Sequence, residues 1–152
     1  HDIGKTAVPR QILQKEGALT QREFEIMKHH TTIGADNLLG HLPELRPLLN
    51  MIRQHHERPT GGGYPLGLKS AEIDPLAKIV SIADAFDAMT SSRSYRPGMP
   101  VAQAKDRLRK AARNGQLDAA LVEAFIRALE FKRGGQVIPV AERFREVVGK
   151  AS

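Results

Sequence analysis

The sequence predicts an all-α fold, built as one domain from its 152 residues. Three observations carry that expectation. Apolar residues recur three and four apart in one segment after another, the spacing of a helix face. Helix-start signals stand before those segments and glycines stand after them. No stretch alternates apolar and polar residues over a useful strand length. A chain of this size can bury a true core. With 5% aromatic residues and no Trp, that core must be Leu, Ile, Val, Ala and Met.

The first element is short. Pro9 at a first helical position opens a helix through Leu13, closed by Lys15-Glu16-Gly17. Thr20 and Glu23 form a capping box. The helix that follows should turn Phe24, Ile26 and Met27 inward and end near His29-His30. Gly34 bends the chain, a helical pattern resumes over 35–39, and Gly40 stops it. Leu42-Pro43-Glu44 starts the next helix, with Leu45, Leu48, Leu49 and Ile52 on one face. Pro47 falls in its first turn, where a missing N–H costs little. Asp74 caps the next helix with Pro75 at its first position. Its expected buried stripe is Leu76, Ile79, Val80, Ala83 and Phe86. Pro100 opens a helix with Val101, Ala104 and Leu108 on one face, ended by Asn114-Gly115 as a left-handed cap. Asp118 caps another, with Leu121, Val122, Phe125 and Leu129 inward. Gly134-Gly135 reads as a hinge, and residues 139–150 as a terminal amphipathic helix.

Composition narrows the function. No apolar run approaches the ~20 residues of a membrane span. Cysteine is absent, which excludes disulfides and thiolate metal sites. The net charge of +6 suits an anionic partner, or equally a solvated basic face. No groove-reading helix or stacked aromatics favour nucleic acid.

The chemistry concentrates in 53–68, where His55-His56 is followed by Glu57-Arg58 and then Gly61-Gly62-Gly63-Tyr64-Pro65. Glycine shapes such a loop and lets a ligand approach the main chain. Adjacent histidines on a helical turn point about 100° apart and suit two neighbouring ions better than one. His1 and Asp2 add an imidazole and a carboxylate that can bridge two cations. Lys5 can meet a phosphate or leaving oxygen. His30, at a helix end, is a better ligand candidate than His29, and His41 has no assigned role. Asp84 lies beside an apolar stripe, where an unpaired carboxylate is costly, so it calls for a cation or donors. Asp87 either orients a ligand histidine or is a plain surface acid. Arg93 and Arg96 with hydroxyls between them form a compact anion site.

In this order and spacing, His1-Asp2, Lys5, His30, His55-His56, Gly63-Tyr64-Pro65 and Asp84 resemble the HD-GYP domain, a branch of the HD phosphohydrolase superfamily. The resemblance runs over nearly the whole chain. It implies an HD-domain-like helical bundle with a glycine-rich loop beside a metal centre. It implies hydrolysis of cyclic di-GMP to pGpG or GMP by two or three divalent transition ions, iron or manganese favoured and nickel or zinc possible. By position, His1, Asp2, His30, His55, His56 and Asp84 match the metal ligands, with Asp2 bridging. Lys5 matches a residue by the scissile phosphate, Arg93 and Arg96 match phosphate-holding positions, and Gly63, Tyr64 and Pro65 match the substrate-facing lip. Thr60 departs from the pattern, which has Asp there. Residues 1–152 are expected to be one HD-GYP domain whose N-terminal helices precede His1 in a longer, cytoplasmic signalling polypeptide. That polypeptide could carry an upstream sensor or receiver domain or meet a partner protein. Two other readings remain: action on a mixed cyclic dinucleotide, and a module that binds nucleotide or partner without turnover.

Overall fold

Among the described residues, helices follow the predicted order. The computed structural model describes residues 1–92, 97–130, 132–133 and 136–137. They comprise α1 (Arg10–Leu13), α2 (Gln21–Lys28), α3 (His30–Thr32), α4 (Arg46–Gln54), α5 (Pro75–Thr90), α6 (Val101–Arg113) and α7 (Ala119–Glu130). A π-helical turn, Ile33–Leu38, continues α3 and makes the bend expected at Gly34. A 3-10 turn, Pro43–Leu45, leads into α4.

Local chemistry explains the helix ends. The Thr20 hydroxyl accepts from the Glu23 N–H, and the Glu23 carboxylate accepts from the Thr20 N–H at 2.7 Å, so the capping box is complete. The Asp74 carboxylate accepts from the Leu76 N–H at 2.8 Å at the start of α5. The Asp118 carboxylate accepts from the Leu121 N–H at 3.1 Å at the start of α7. Gly115 follows α6 with φ +68°, as its cap position requires. Helix α1 begins one residue later than expected, after Pro9 rather than at it.

The core is the meeting of α5, α6 and α7. Ile82, Leu108, Val122 and Ile126 are buried together, with Phe86 and Phe125 packed edge to face against them. Helix α4 lies against the same α5, whose Ala77 is buried as are Ile52 and Ile73. Helix α5 therefore joins the packing core to the segments that carry the histidines.

Three expectations change. The buried positions of α5 are Ala77 and Ile82, whereas Leu76 and Ile79 are 43% and 46% exposed and Ala83 is exposed. This helix is apolar on nearly every face, so spacing alone allows more than one inward stripe. Phe24, Leu48 and Val101 are exposed as well. A short antiparallel ladder, β1 (Lys132–Arg133) with β2 (Gln136–Val137), adds a strand pair with no signal in the sequence. Gly134, Gly135 and the expected helix 139–150 lie outside the described residues.

Removing buried volume at the centre should cost far more than trimming the misassigned stripe. Leu108→Ala is expected to lose about 2–5 kcal/mol in urea unfolding. Leu76→Ala should stay within about 0.5 kcal/mol. Similar losses would contradict this core.

Candidate metal centre

Residues far apart in sequence converge at one place. His1 and Asp2 stand before a 3-10 turn, Ile3–Ala7, that presses on the start of α3. The fit is close: a Cβ on Gly4 would lie 1.9 Å from the His30 carbonyl oxygen. His30 opens α3 and is 1% exposed. His55 and His56 follow Gln54, the last residue of α4, and Asp84 lies within α5. The pair sits in the turn just beyond the helix. The two rings lie 4.1 Å apart, and one ligand atom each from His30, His55 and His56 falls within 4.8 Å of the others. His1, Asp2 and His55 form a second such group.

The hydrogen bonds decide which atoms face inward. His30 Nδ1 donates to the Met27 carbonyl and His55 Nδ1 to the Ile52 carbonyl, each at 2.7 Å. A carbonyl has no proton to give, so each ring carries its hydrogen on Nδ1 and leaves Nε2 bare. Those two Nε2 atoms are 3.4 Å apart. Asp2 Oδ1 lies 3.4 Å from one and 3.9 Å from the other, buried and without a hydrogen-bond partner. Three lone-pair atoms thus meet with no donor among them. Buried acceptors of this kind are costly unless something positive sits between them, so the donor set fits a cation. The other Asp2 oxygen accepts from Lys5 Nζ at 2.6 Å. His1 Nε2 lies 3.7 Å from both Asp2 and Asp84, which brings Asp84 to the same cluster.

Burial lowers the pKa of His30, of His55 to about 3 and of His56 to about 4, with neighbouring imidazoles adding to the last two. These rings are neutral near pH 7, as metal ligands must be. The Asp84 carboxylate raises the His1 pKa, and His1 in turn lowers that of Asp84. Burial works to raise the Asp2 pKa, but Lys5 outweighs it and holds it low.

The glycine-rich loop forms a lip over this cluster. Tyr64 stacks on His56 with ring centres 4.7 Å apart, burial raises its pKa, and the Tyr64–Pro65 bond is cis. Phe24 meets Tyr64 edge-on, and Lys28 lies over both rings. A Cβ on Gly63 would sit 2.4 Å from the Glu57 Cα, so this turn excludes any side chain. Sequence reasoning missed the residue that holds the loop. Glu57 is 4% exposed, and its carboxylate accepts from the N–H groups of Leu66, Gly67 and Leu68 at 2.6, 3.1 and 2.9 Å. The available signal was an acid beside a loop whose N–H groups have no ladder to pair with. Gln54 was missed too; it is buried and accepts from the Asp74 N–H at 2.7 Å, tying α4 to α5. Asp87 is the surface acid: exposed, it accepts from the Ser91 hydroxyl at 2.8 Å. His29 is exposed, and Arg93 and Arg96 lie outside the described residues.

A bundle of this form with such a ligand cluster defines a class. The HD domain family model matches residues 1–121, and the chain belongs to that family. It is 45% identical over 129 residues to a cyclic di-GMP phosphodiesterase of Thermotoga maritima, covering 84% of this chain and 34% of that protein. It is 40% identical to a cyclic di-GMP phosphodiesterase of Pseudomonas aeruginosa, covering 85% of this chain and 31% of that one. A 3'3'-cGAMP-specific phosphodiesterase of Vibrio cholerae is 35% identical, covering 84% and 29%. Among solved structures, an HDG"Y"P protein from Bdellovibrio bacteriovorus superposes with a TM-score of 0.64 at 27% identity, covering 86% of this chain and 41% of that one. The HD-GYP resemblance and the helical HD fold are thereby borne out. The chain spans about a third of the length of the curated relatives it matches.

Two outcomes follow. In the unfolded chain the histidines titrate near 6.5, while folding lowers His30, His55 and His56. Below that pH the unfolded state takes up protons that the folded, metal-free protein refuses, so stability falls with pH. His1 has the opposite sign: its contribution is full below 6.5 and fades as pH rises through its raised value. Asp2 and Asp84 contribute above the ordinary carboxylate range and lose that contribution under acid. Three lowered histidines outweigh one raised, so the Tm in EDTA should decline steadily from pH 6.5 to 4. A flat or rising Tm would contradict the cluster. Glu57→Gln, which turns an amide group toward three N–H donors, should cost about 1–3 kcal/mol in urea unfolding.

Proposed function

We propose that this chain is the catalytic domain, residues 1–152, of a metal-dependent phosphodiesterase that hydrolyses cyclic di-GMP to pGpG or GMP. One observation carries the reading: Asp2 Oδ1 and the bare Nε2 atoms of His30 and His55 converge with no donor between them. His1, Asp2, His30, His55, His56 and Asp84 would hold two or three divalent transition ions. Imidazole and carboxylate donors without thiolate suit iron or manganese best, with nickel or zinc also possible. When bound, such ions stabilise the attacking and leaving oxygens of a phosphodiester.

The residues themselves have distinct tasks. The backbone carbonyls of Met27 and Ile52 hold the rings of His30 and His55 in the ligating tautomer. Lys5 keeps Asp2 ionised from beside the cluster and would meet a phosphate oxygen. Gly63, Tyr64 and Pro65 wall the site and limit water around the scissile bond. Arg93 and Arg96 would grip substrate phosphate. The names of the relatives support the substrate class, and such a substrate fits a cytoplasmic enzyme within a larger signalling protein that could couple it to a sensor or partner. Among the described residues no helix is long and apolar enough to cross a membrane.

A second reading has its own support: relatives named as 3'3'-cGAMP-specific phosphodiesterases make a mixed cyclic dinucleotide the rival substrate. The test is turnover of both dinucleotides by purified protein with Mn²⁺ or Fe²⁺, resolved by chromatography. EDTA should abolish activity and added metal restore it. Asp2→Ala should lower kcat/KM by about 100-fold or more. Equal turnover by this variant would remove Asp2 from the mechanism. Protein that takes up no transition metal would instead be a non-hydrolytic binding module.

A further inference from the structure

The glycine-rich loop is closed at its neck by its own backbone. The Gly61 N–H donates to the Arg58 carbonyl at 2.8 Å, and the Ser70 N–H donates to the Pro59 carbonyl at 3.1 Å. Beside these bonds Thr60 pairs with Lys69 in a single antiparallel bridge. The backbone of Thr60 is therefore fixed against both arms of the loop, and its side chain turns to another part of the fold.

That side chain meets Gly115, 55 residues further on, in the turn between α6 and α7. The Thr60 hydroxyl donates to the Gly115 carbonyl at 3.2 Å. The Thr60 methyl lies against the same residue, since a Cβ on Gly115 would stand 2.3 Å from Thr60 Cγ2. Gly115 has φ +68°, so its backbone angle and this contact both favour glycine. The contact is particular to this chain. An ionised Asp, which the HD-GYP pattern has at this position, would set acceptor against acceptor here.

The two segments so joined line one cleft. A cavity of about 220 Å³ beside the ligand cluster is lined by Arg58 and Tyr64 from the loop and by Ala111, Gln116 and Leu117 from the end of α6 and the turn after it. Tyr64, in the loop whose neck Thr60 anchors, stacks on His56.

We infer that Thr60 is a positioning residue: it ties the neck of the loop to the α6–α7 turn, and so fixes the width of the cleft and the seat of Tyr64 over His56. The effect on turnover rests on the hydrolase reading above; the coupling of loop to turn rests on the geometry alone. Thr60 acts through the loop that borders the substrate. Its loss therefore weakens substrate binding and leaves the chemical step in place, which raises KM and spares kcat.

The experiment compares Thr60→Val, which keeps the methyl and loses the donor, with Thr60→Ser, which keeps the donor. Amide hydrogen exchange is followed by mass spectrometry, and turnover of cyclic di-GMP is measured with Mn²⁺. In Thr60→Val, exchange should quicken together over 61–68 and 111–117 and stay native over α5. Its KM should rise about three- to tenfold, the worth of one hydrogen bond, with kcat within about twofold of native. Thr60→Ser should restore both readouts. Native exchange and native KM in Thr60→Val would overturn the inference. Faster exchange in α5 as well would make Thr60 a plain stabilising residue and overturn it too. The two proposals fail differently. A native protein without turnover, whose loop and turn still respond together to Thr60→Val and recover in Thr60→Ser, would sink the hydrolase and support the coupling. Full turnover with no response in Thr60→Val would sink the positioning role alone.

Discussion

The structure depends on a confrontation of acceptors. Two imidazoles, each turned by a backbone carbonyl so that its bare nitrogen points inward, meet a carboxylate oxygen that has no donor. In a protein interior this arrangement opposes folding unless positive charge offsets it. The surrounding chain holds it closed. Gly4 lets the first turn press on the backbone of His30, and Lys5 neutralises the far side of Asp2. Gln54 ties the end of α4 to the start of α5. The fold thus holds unfavourable electrostatics in place, and a bound cation would recover that energy.

Helix α5 links stability to this site. Ile82 and Phe86 belong to the core with α6 and α7, while Asp84, between them in sequence, reaches His1. Packing on one face of α5 therefore sets the position of a group on another. A core cavity near Ile82 would disturb the cluster as well as the fold.

The loop after the histidines gains its order from within. Glu57 accepts three backbone N–H groups, Gly63 folds tightly onto it, and Tyr64 comes to rest on His56. A carboxylate one residue from a candidate ligand thereby sets the shape of the lip above it. Thr60 extends the order outward to the α6–α7 turn. Two helices that otherwise serve as packing thus border the site.

Much of this was legible in the chain alone. Caps are local, so Thr20 with Glu23 and Asp74 with Pro75 could be read from adjacent residues. The class of donors was legible too, because side-chain type dictates what can face a cation. Tertiary structure decided the rest. The inward face of α5 was ambiguous, since an all-round apolar helix is oriented by its neighbours and not by its own spacing. The placing of His55 and His56 beside one cluster depended on α4 ending at Gln54. Glu57 carried only the weak cue of an acid beside an unpaired loop, because a buried acid is recognised by the three N–H groups it meets, 9 to 11 residues further along the chain. Sequence determines what each residue can bond to; only the folded chain determines which bonds are within reach.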